Sequence, residues 1–397
     1  MNRTLNVVLL STALVGCNMP DRGARVQLPD GPHPINAGET SLDSETVDQI
    51  NRTVRSHLEA FEVPGMGLAL IRDGEVVYTA GYGWADLADE ETVSPQTPFL
   101  LASVSKTFIG VTAMQVRDDG LLAFDDPIAD LVGFSVDNPR VEGETITLRH
   151  LLTHNSGIED SKIYDRSYAP GDPETELGVF LEGYLTEGGE YWHRKNYAKR
   201  PPLDGFAYSN IGASLAAYAI EVTDGQLYRD VVDARVFAPL GMENSAFFLA
   251  DLDAEPATAY GSTILGRGWK AYTPYGFLSY PDGLVRSSAE DMGQYVAAIA
   301  ANDGALMAPE SLDEMLTVDA SLGTDEDGQA IVWAQREMGG RTLFGHNGGD
   351  FGSTTEIWID RQAGVGIAVM MNADFINEDA WLSMFDMESE LLDIIDK

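Results

Sequence analysis

Lysine is scarce in this chain and cysteine is almost absent. Lys106, Lys162, Lys195, Lys199, Lys270 and Lys397 are spread over 397 residues, and the only cysteine is Cys17. One cysteine cannot close a disulfide within the chain, which excludes a cross-linked scaffold and a paired-thiol redox centre. Lysine and arginine together number 25 against 63 acidic residues, a formal net charge of −38. So negative a surface repels phosphate backbones, and nucleic acid is excluded as a partner. The acidic surplus reads first as a solvated surface serving solubility, and more sharply as adaptation to salty surroundings, where ions screen self-repulsion. Long apolar runs are also missing, and no stretch is long enough to cross a bilayer as a helix. No repeat period of the solenoid or propeller kind is present. What is plentiful is ordinary globular material, 44% hydrophobic with 15 Phe, 15 Tyr and 6 Trp. That supports one large lobed domain or two ordinary ones.

Position explains the single cysteine. Arg3 stands in a short polar start, Val7 to Val15 is mostly apolar, and Leu14-Val15-Gly16-Cys17 follows. The run suits a signal-peptide core. Leu-Val-Gly-Cys resembles the lipobox of bacterial lipoproteins, which implies a leader over residues 1–17 and a lipid on Cys17 that anchors the chain to a membrane. Asn18 after the cysteine, where inner-membrane retention calls for Asp, implies the outer membrane with the domain facing the periplasm. A plain secretory signal with an incidental cysteine is the alternative. Residues 18–43 are rich in Pro, Gly, Asp and Asn without periodicity and are expected to be a tether.

From Ser44 the pattern is helical, with Val47, Ile50, Val54, Leu58 and Phe61 spaced by three and four. Asp73-Gly74 between two apolar runs predicts a hairpin. Ser103 opens the next helix, with Phe108, Ile109, Thr112, Ala113 and Val116 on one face and Gly120 as its stop. Residues from 126 to about 255 read as mainly helical, with polar loops at Glu159–Pro173 and Gly188–Gly205. Strand signals return in Thr342-Leu-Phe-Gly, Thr354-Thr-Glu-Ile-Trp-Ile and Gly364-Val-Gly-Ile-Ala-Val-Met-Met, and a last helix covers about Glu378 to Ile395. The expectation is an α+β fold. One antiparallel sheet flanked by helices (residues 44–125 and 256–397) carries an inserted, mainly helical lobe (126–255), with the active site in the groove between them.

The chemistry centres on Ser103-Val104-Ser105-Lys106. A serine hydroxyl is a poor nucleophile and needs a neighbouring base. Residues i and i+3 share a helix face, so Lys106 sits beside Ser103, and a helix N-terminus adds free N–H groups and partial positive charge. Alone, Ser-x-x-Lys is a chance-level match. Its company decides: Tyr208-Ser209-Asn210 and His346-Asn347-Gly348 follow in the order of the Ser-x-x-Lys, Ser-Asp-Asn and Lys-Thr-Gly elements of class A β-lactamases and penicillin-binding proteins.

In this Tyr-x-Asn, His-x-Gly form the chain resembles class C β-lactamases, related esterases, D-aminopeptidases and some DD-peptidases. Val63-Pro-Gly-Met-Gly-Leu-Ala-Leu-Ile, Leu151-Leu-Thr-His-Asn-Ser-Gly157, Phe237-Ala-Pro-Leu-Gly-Met-Glu-Asn244 and Gly283-Leu-Val-Arg-Ser-Ser-Ala-Glu-Asp291 extend the resemblance over about residues 45–375. The resemblance implies a β-lactamase/transpeptidase-like fold and an acyl-enzyme formed at Ser103. Lys106 keeps a charge beside Tyr208 that favours the phenolate, and either of the two is the base. Asn210, His346, Asn347 and Gly348 contact substrate, and the N–H groups of Ser103 and Gly349 form the oxyanion hole. His346 replaces the strand lysine and is a weaker fixed cation. Neither a metal nor an organic cofactor is expected.

Two lookalikes are set aside. His150 and His154 are spaced like half a metal site, but no glutamate follows the first of them. Gly212-Ala-Ser214-Leu-Ala216 lacks the last glycine of a nucleophile elbow. The aromatic loop Tyr191-Trp192-His193 with Tyr197 either shapes the groove mouth or packs within the lobe. Esters, β-lactams and D-peptides are all open as substrates. A catalytically silent binding lipoprotein is the reading from outside enzymology.

Overall fold

The structure is a computed structural model and describes residues 20–262, 268–318, 328–374 and 378–397, apart from the side chains of Glu39 and Glu378. The leader and Cys17 lie outside the described residues. The central sheet contains β1 (Ile35–Thr40), β2 (Gly65–Arg72), β3 (Glu75–Asp86), β4 (Ala334–Met338), β5 (Arg341–Asp350), β6 (Ser353–Asp360) and β7 (Val365–Met371). All of its pairings are antiparallel, in the order β4-β5-β6-β7-β2-β3-β1, with the short strand Glu91–Thr92 on β3. The two halves of the chain meet where β7 pairs with β2, from Val365 opposite Arg72 to Met371 opposite Met66. The Asp73-Gly74 hairpin forms as expected, with φ of 55° and 75° at the two turn residues.

Both faces of the sheet are covered, which is why β6 and β7 are buried at every residue and read as continuous rather than alternating apolar runs. On one face lie α1 (Ser44–Phe61) and, from the far end of the chain, a terminal helix over Glu378–Ile395. Asp43 caps α1 by accepting from the N–H groups of Glu45 and Thr46 at 2.9 and 3.0 Å. The other face packs on α4 (Ala289–Ala301), and α2 (Lys106–Asp118) and α3 (Asn210–Asp224) belong to the same larger core; the terminal helix is α5. Around α3 sit the helices Ile128–Val132, Leu148–Leu152, Leu177–Leu185 and Tyr228–Val232. The sequence suggests a one-sided α2, but residues 106–114 and Val116 are all buried. The helix is enclosed by α3, the helix Pro309–Met315 and Tyr295 of α4 rather than lying on a surface.

Residues 22–40 correct the expected tether. Arg22–Val26 pairs with Trp269–Tyr272, and β1 pairs with β3. Neither strand carries a hydrophobic period of its own. Each is held by the ladder of a partner far along the chain, which composition does not reveal.

Strand parity sorts the two cores. Leu343 joins Trp358 on the α1/α5 side, while Phe344 packs on the α2 side. Glu356 therefore leaves β6 toward α5, where both it and Glu388 are fully buried. The indole of Trp358 donates to Glu356, and Arg336, sandwiched between Trp358 and Phe385 at 4.3 and 4.6 Å, lies 3.5 Å from it. Burial, and for Glu388 the neighbouring Glu356 charge, raise both carboxyls above the ordinary range. A carboxyl raised in the fold binds its proton more tightly there than in the unfolded chain, so stability falls as pH rises above about 4.5. Glu388→Gln should raise the melting temperature by roughly 1–2 °C at pH 8, on the order of 1 kcal/mol, and by less at pH 5. Thermal unfolding followed at both pH values checks this, and equal shifts at the two would contradict the assignment.

Candidate active site

Ser103 does not begin a regular helix. It lies in a 3₁₀ turn, Ala102–Ser105, ahead of α2. A 3₁₀ turn eclipses positions i and i+3, and Lys106 Nζ accordingly donates to Ser103 Oγ at 3.0 Å. The turn is entered through Ala102 at φ 46°, a left-handed conformation in a residue with a side chain. Such strain collects at functional positions when the surroundings enforce it. Here the enforcing neighbour is β5. Gly348 lies against the Leu101 carbonyl, and a Cβ there would come within 3.1 Å of Ser103 N. Thr355, opposite Gly348, donates to the same Leu101 carbonyl at 2.6 Å.

Lys106 is wholly buried. Besides Ser103 it donates to the carbonyl of Asp282 at 2.6 Å. The Asp282 side chain is fixed in turn by the hydroxyls of Tyr164 and Ser214, both at 3.1 Å. Ser214 is thus a helix residue tying α3 to this turn. Burial lifts the Asp282 carboxyl to about 6, with Lys106 opposing the rise.

Tyr208 reaches the site from the residues before α3. Lys106 Nζ lies 5.1 Å from its ring centroid, and its hydroxyl is enclosed without a hydrogen bond among the described residues. Two residues of the Thr153–Ser161 turn hold this segment. The ring of His154 (φ 53°) stacks on Tyr208 at 4.4 Å, and its Nδ1 accepts from Ser209 N–H at 3.2 Å. Asp160 accepts from Ser209 Oγ at 3.1 Å and from the N–H groups of Asn210 and Ile211 at 2.8 and 3.0 Å. Burial raises its carboxyl and these donors oppose the rise. His150 closes a capping box with Thr147, so each member of the histidine pair serves a different cap. No cluster of three potential metal ligands occurs among the described residues.

On β5, His346 and Gly348 face Ser103, and the ring of His346 lies 6.1 Å from that of Tyr208. Its Nδ1 bonds the Asn347 carbonyl at 2.6 Å, which requires the proton on Nδ1 and leaves Nε2 as an acceptor. Burial, then the Lys106 charge, push the imidazole down to about 3, so it is neutral throughout the physiological range. Asn347 departs from expectation. By strand alternation its side chain leaves toward α5, on the face opposite His346, and only its carbonyl serves the site, through His346. Gly349 is exposed with no atom within 4 Å of a Cβ placed on it. β4 pairs β5 only as far as Gly345, so residues 346–350 have β6 on one side and no described strand on the other. Asp350 ends this free edge on the His346 face, accepting from Tyr168 Oη at 3.2 Å and Phe351 N–H at 2.7 Å. Burial lifts it to about 7.

The structure thus gathers Ser103, Lys106, Tyr208, His346 and Gly348, with Asn210 opening α3 beside Tyr208. It adds Ala102, Asp160, Asp282 and Asp350, which no motif indicates, and gives His154 of the Leu-Leu-Thr-His stretch a place beside Tyr208. The aromatic loop resolves toward packing: Tyr197 is buried and donates to the Leu185 carbonyl at 2.9 Å, and Tyr191 lies against Phe180 at 5.2 Å. A cavity of about 500 Å³ walled by Tyr218, Glu221, Phe248 and Tyr280 belongs to the helical lobe and contains none of the catalytic candidates.

Two outcomes follow. Asp160→Ala leaves three donors without their acceptor at a partly buried helix start. It should cost roughly 1–3 kcal/mol of stability and slow labelling of Ser103 by a fluorophosphonate by about tenfold or more. Unfolding and labelling rates check both, and labelling at the wild-type rate would show that the Tyr208 segment holds its place without Asp160. Because His346 is neutral above about pH 3, a rate profile between pH 5 and 8 should keep the same inflections in His346→Gln. Loss of an inflection near 6 would contradict the assigned tautomer and charge.

The chain that carries this site is similar to known proteins over most of its length. Residues 50–381 fit the Beta-lactamase family model. A Bacillus subtilis protein called a penicillin-binding protein, PbpX, is 29% identical over 70% of this chain and 64% of its own length. The unguisins hydrolase of Aspergillus campestris is 22% identical over 85% of the chain and likewise 64% of its own length. The chain therefore spans less than two thirds of both curated relatives. The octameric penicillin-binding protein homologue from Pyrococcus abyssi superposes with a TM-score of 0.68 at 25% identity, over 86% of this chain and 76% of that one. With a family match that covers most of its length and a fold shared with a penicillin-binding protein homologue, this chain belongs to the Beta-lactamase family.

Proposed function

We propose that the protein is an acyl-enzyme serine hydrolase acting on ester or amide bonds of small substrates, with Ser103 as nucleophile. The observation that carries this is the 3.0 Å hydrogen bond from the buried Lys106 Nζ to Ser103 Oγ, beside an enclosed and unpartnered Tyr208 hydroxyl. Ser103 Oγ attacks the carbonyl carbon and loses its proton to the Lys106–Tyr208 pair. The N–H groups of Ser103 and Gly349 receive the oxyanion, on the free edge of β5. Collapse of the tetrahedral intermediate expels the alcohol or amine, which takes the proton back from the pair. Water, deprotonated by the same pair, then attacks the acyl-Ser103 ester and frees the acid. Asn210 donates to the substrate's amide or carbonyl. The names of the relatives, a hydrolase and a penicillin-binding protein, support the class of reaction.

The test uses purified protein with p-nitrophenyl esters, a chromogenic cephalosporin and a fluorescent penicillin. A fluorophosphonate should label Ser103, and Ser103→Ala should lower turnover of the preferred substrate by at least about a thousandfold. Tyr208→Phe should lower kcat by roughly 10²–10⁴-fold with labelling slowed in parallel. Absence of labelling together with equal rates for wild type and Ser103→Ala would overturn the proposal and favour a binding protein that retains the fold.

A further inference from the structure

The charges around Ser103 bear on which substrates can enter, on the premise that the hydrolase reading holds. We infer that the site accepts acyl substrates that are uncharged near the scissile bond and turns away those carrying a carboxylate there, with Asp350 setting the rejection. Binding a carboxylate needs a cation or a cluster of free N–H groups. Each candidate for that task is already committed.

Lys106 spends its ammonium on Ser103 Oγ and the Asp282 carbonyl, at 3.0 and 2.6 Å. His346, which stands where Lys-Thr-Gly members place a lysine, is 5% exposed and gives its Nδ1 proton to the Asn347 carbonyl. The N-terminus of α3 is filled: Asp160 takes the N–H groups of Asn210 and Ile211, and Ser209 Oγ takes that of Gly212. Arg286 is the other buried cation nearby, and its guanidinium donates to the carbonyls of Phe247, Leu284 and Tyr275.

Negative groups face the same space. Asp160, Asp282 and Asp350 all feel the Lys106 charge, and Asp350 also interacts with the buried Arg286, so that carboxyls outnumber cations here by three to two. Asp350 stands on the open edge of β5, on the face of His346 and Gly348. A substrate laid along that edge passes it two residues beyond Gly348. A carboxylate at that point meets a like charge in a poorly solvated setting, where repulsion is strong and works as discrimination. Beside Asp350 lie the aromatic rings of Tyr168, Tyr275 and Phe351, with centroids 5.6–6.0 Å apart, which carry no charge to set against an uncharged chain.

The experiment compares p-nitrophenyl pentanoate with p-nitrophenyl monoglutarate. They are matched in length and differ by a terminal carboxylate. Rates are taken at pH 8, where Asp282 and Asp350 are ionised, and spontaneous hydrolysis is subtracted with Ser103→Ala. Wild type should show kcat/KM at least about tenfold higher for the pentanoate. Asp350→Asn and His346→Lys should each narrow that ratio by about tenfold, whatever either does to absolute rates. The ratio is read within each variant, and circular dichroism verifies that both fold. Equal kcat/KM for the two esters in wild type would overturn the inference. So would a ratio unmoved in both folded variants. Failure to hydrolyse either ester, with no fluorophosphonate label at Ser103, would instead strike the hydrolase reading beneath it.

Discussion

Everything at this site depends on holding an ammonium where water cannot reach it. Lys106 is completely buried, yet its Nζ meets a hydroxyl and a backbone carbonyl rather than a carboxylate at contact distance. Taking such a charge from water is costly unless dipoles and more distant opposite charges replace the lost hydration. The surroundings supply both. The Asp282 carbonyl provides the dipole, and Asp160, Asp282 and Asp350 provide charge at longer range. None of the three closes an ion pair that would draw the ammonium away from Ser103. A direct carboxylate partner would make a better salt bridge and a poorer catalytic lysine.

That requirement propagates outward. The 3₁₀ turn is needed because an ordinary helical i, i+3 offset would leave Nζ and Oγ less directly opposed. The turn demands the strained Ala102, and β5 enforces it by coming so close that residue 348 must lack a side chain. β5 can approach there because β4 stops pairing at Gly345. Tyr208 is fixed from the lobe side through His154 and Asp160, so the site closes only when sheet and lobe pack together. α2 is the mechanical link, since it carries Lys106 at its start, packs on α3 and continues the 3₁₀ turn that lies against β5.

Much of this was legible along the chain. Ser103, Lys106, Tyr208, Asn210 and His346 sit in short words whose order carries the meaning, and the Asp73-Gly74 hairpin and α5 follow from local turn chemistry and period. The rest is polar and long-range. Asp160 lies 50 residues from its α3 donors, and Asp282 meets Lys106 across 176 residues. A lone aspartate in a chain with 63 acidic residues carries no signal of its own. His154 is visible as half of a metal-like spacing and as part of the Leu-Leu-Thr-His stretch, but its stacking on a phenol leaves no trace in sequence. Asn347 was misplaced because a three-residue motif hides strand parity; anchoring the strand at Leu343 and Phe344 turns it away at once. The strands within residues 22–40 escaped because a ladder partner, rather than their own pattern, makes them strands.

The exchange of lysine for histidine on β5 completes the electrostatic argument. A lysine there would place a second ammonium near Lys106, and each charge would depress the other's protonation. Histidine removes that conflict: buried and donating to Asn347, it stays neutral and offers Nε2 as an acceptor near Tyr208. The ammonium in contact with Ser103 is then that of Lys106. On the proposed mechanism, an oxyanion forming on the β5 edge would be met by that charge and by backbone N–H groups, in surroundings that water screens poorly. The cost is the loss of a cation that could recognise anionic parts of a substrate at a distance from the reacting carbonyl. On that mechanism the positive potential would sit where charge develops in the transition state, which is the condition under which electrostatics speeds a reaction rather than merely tightening binding.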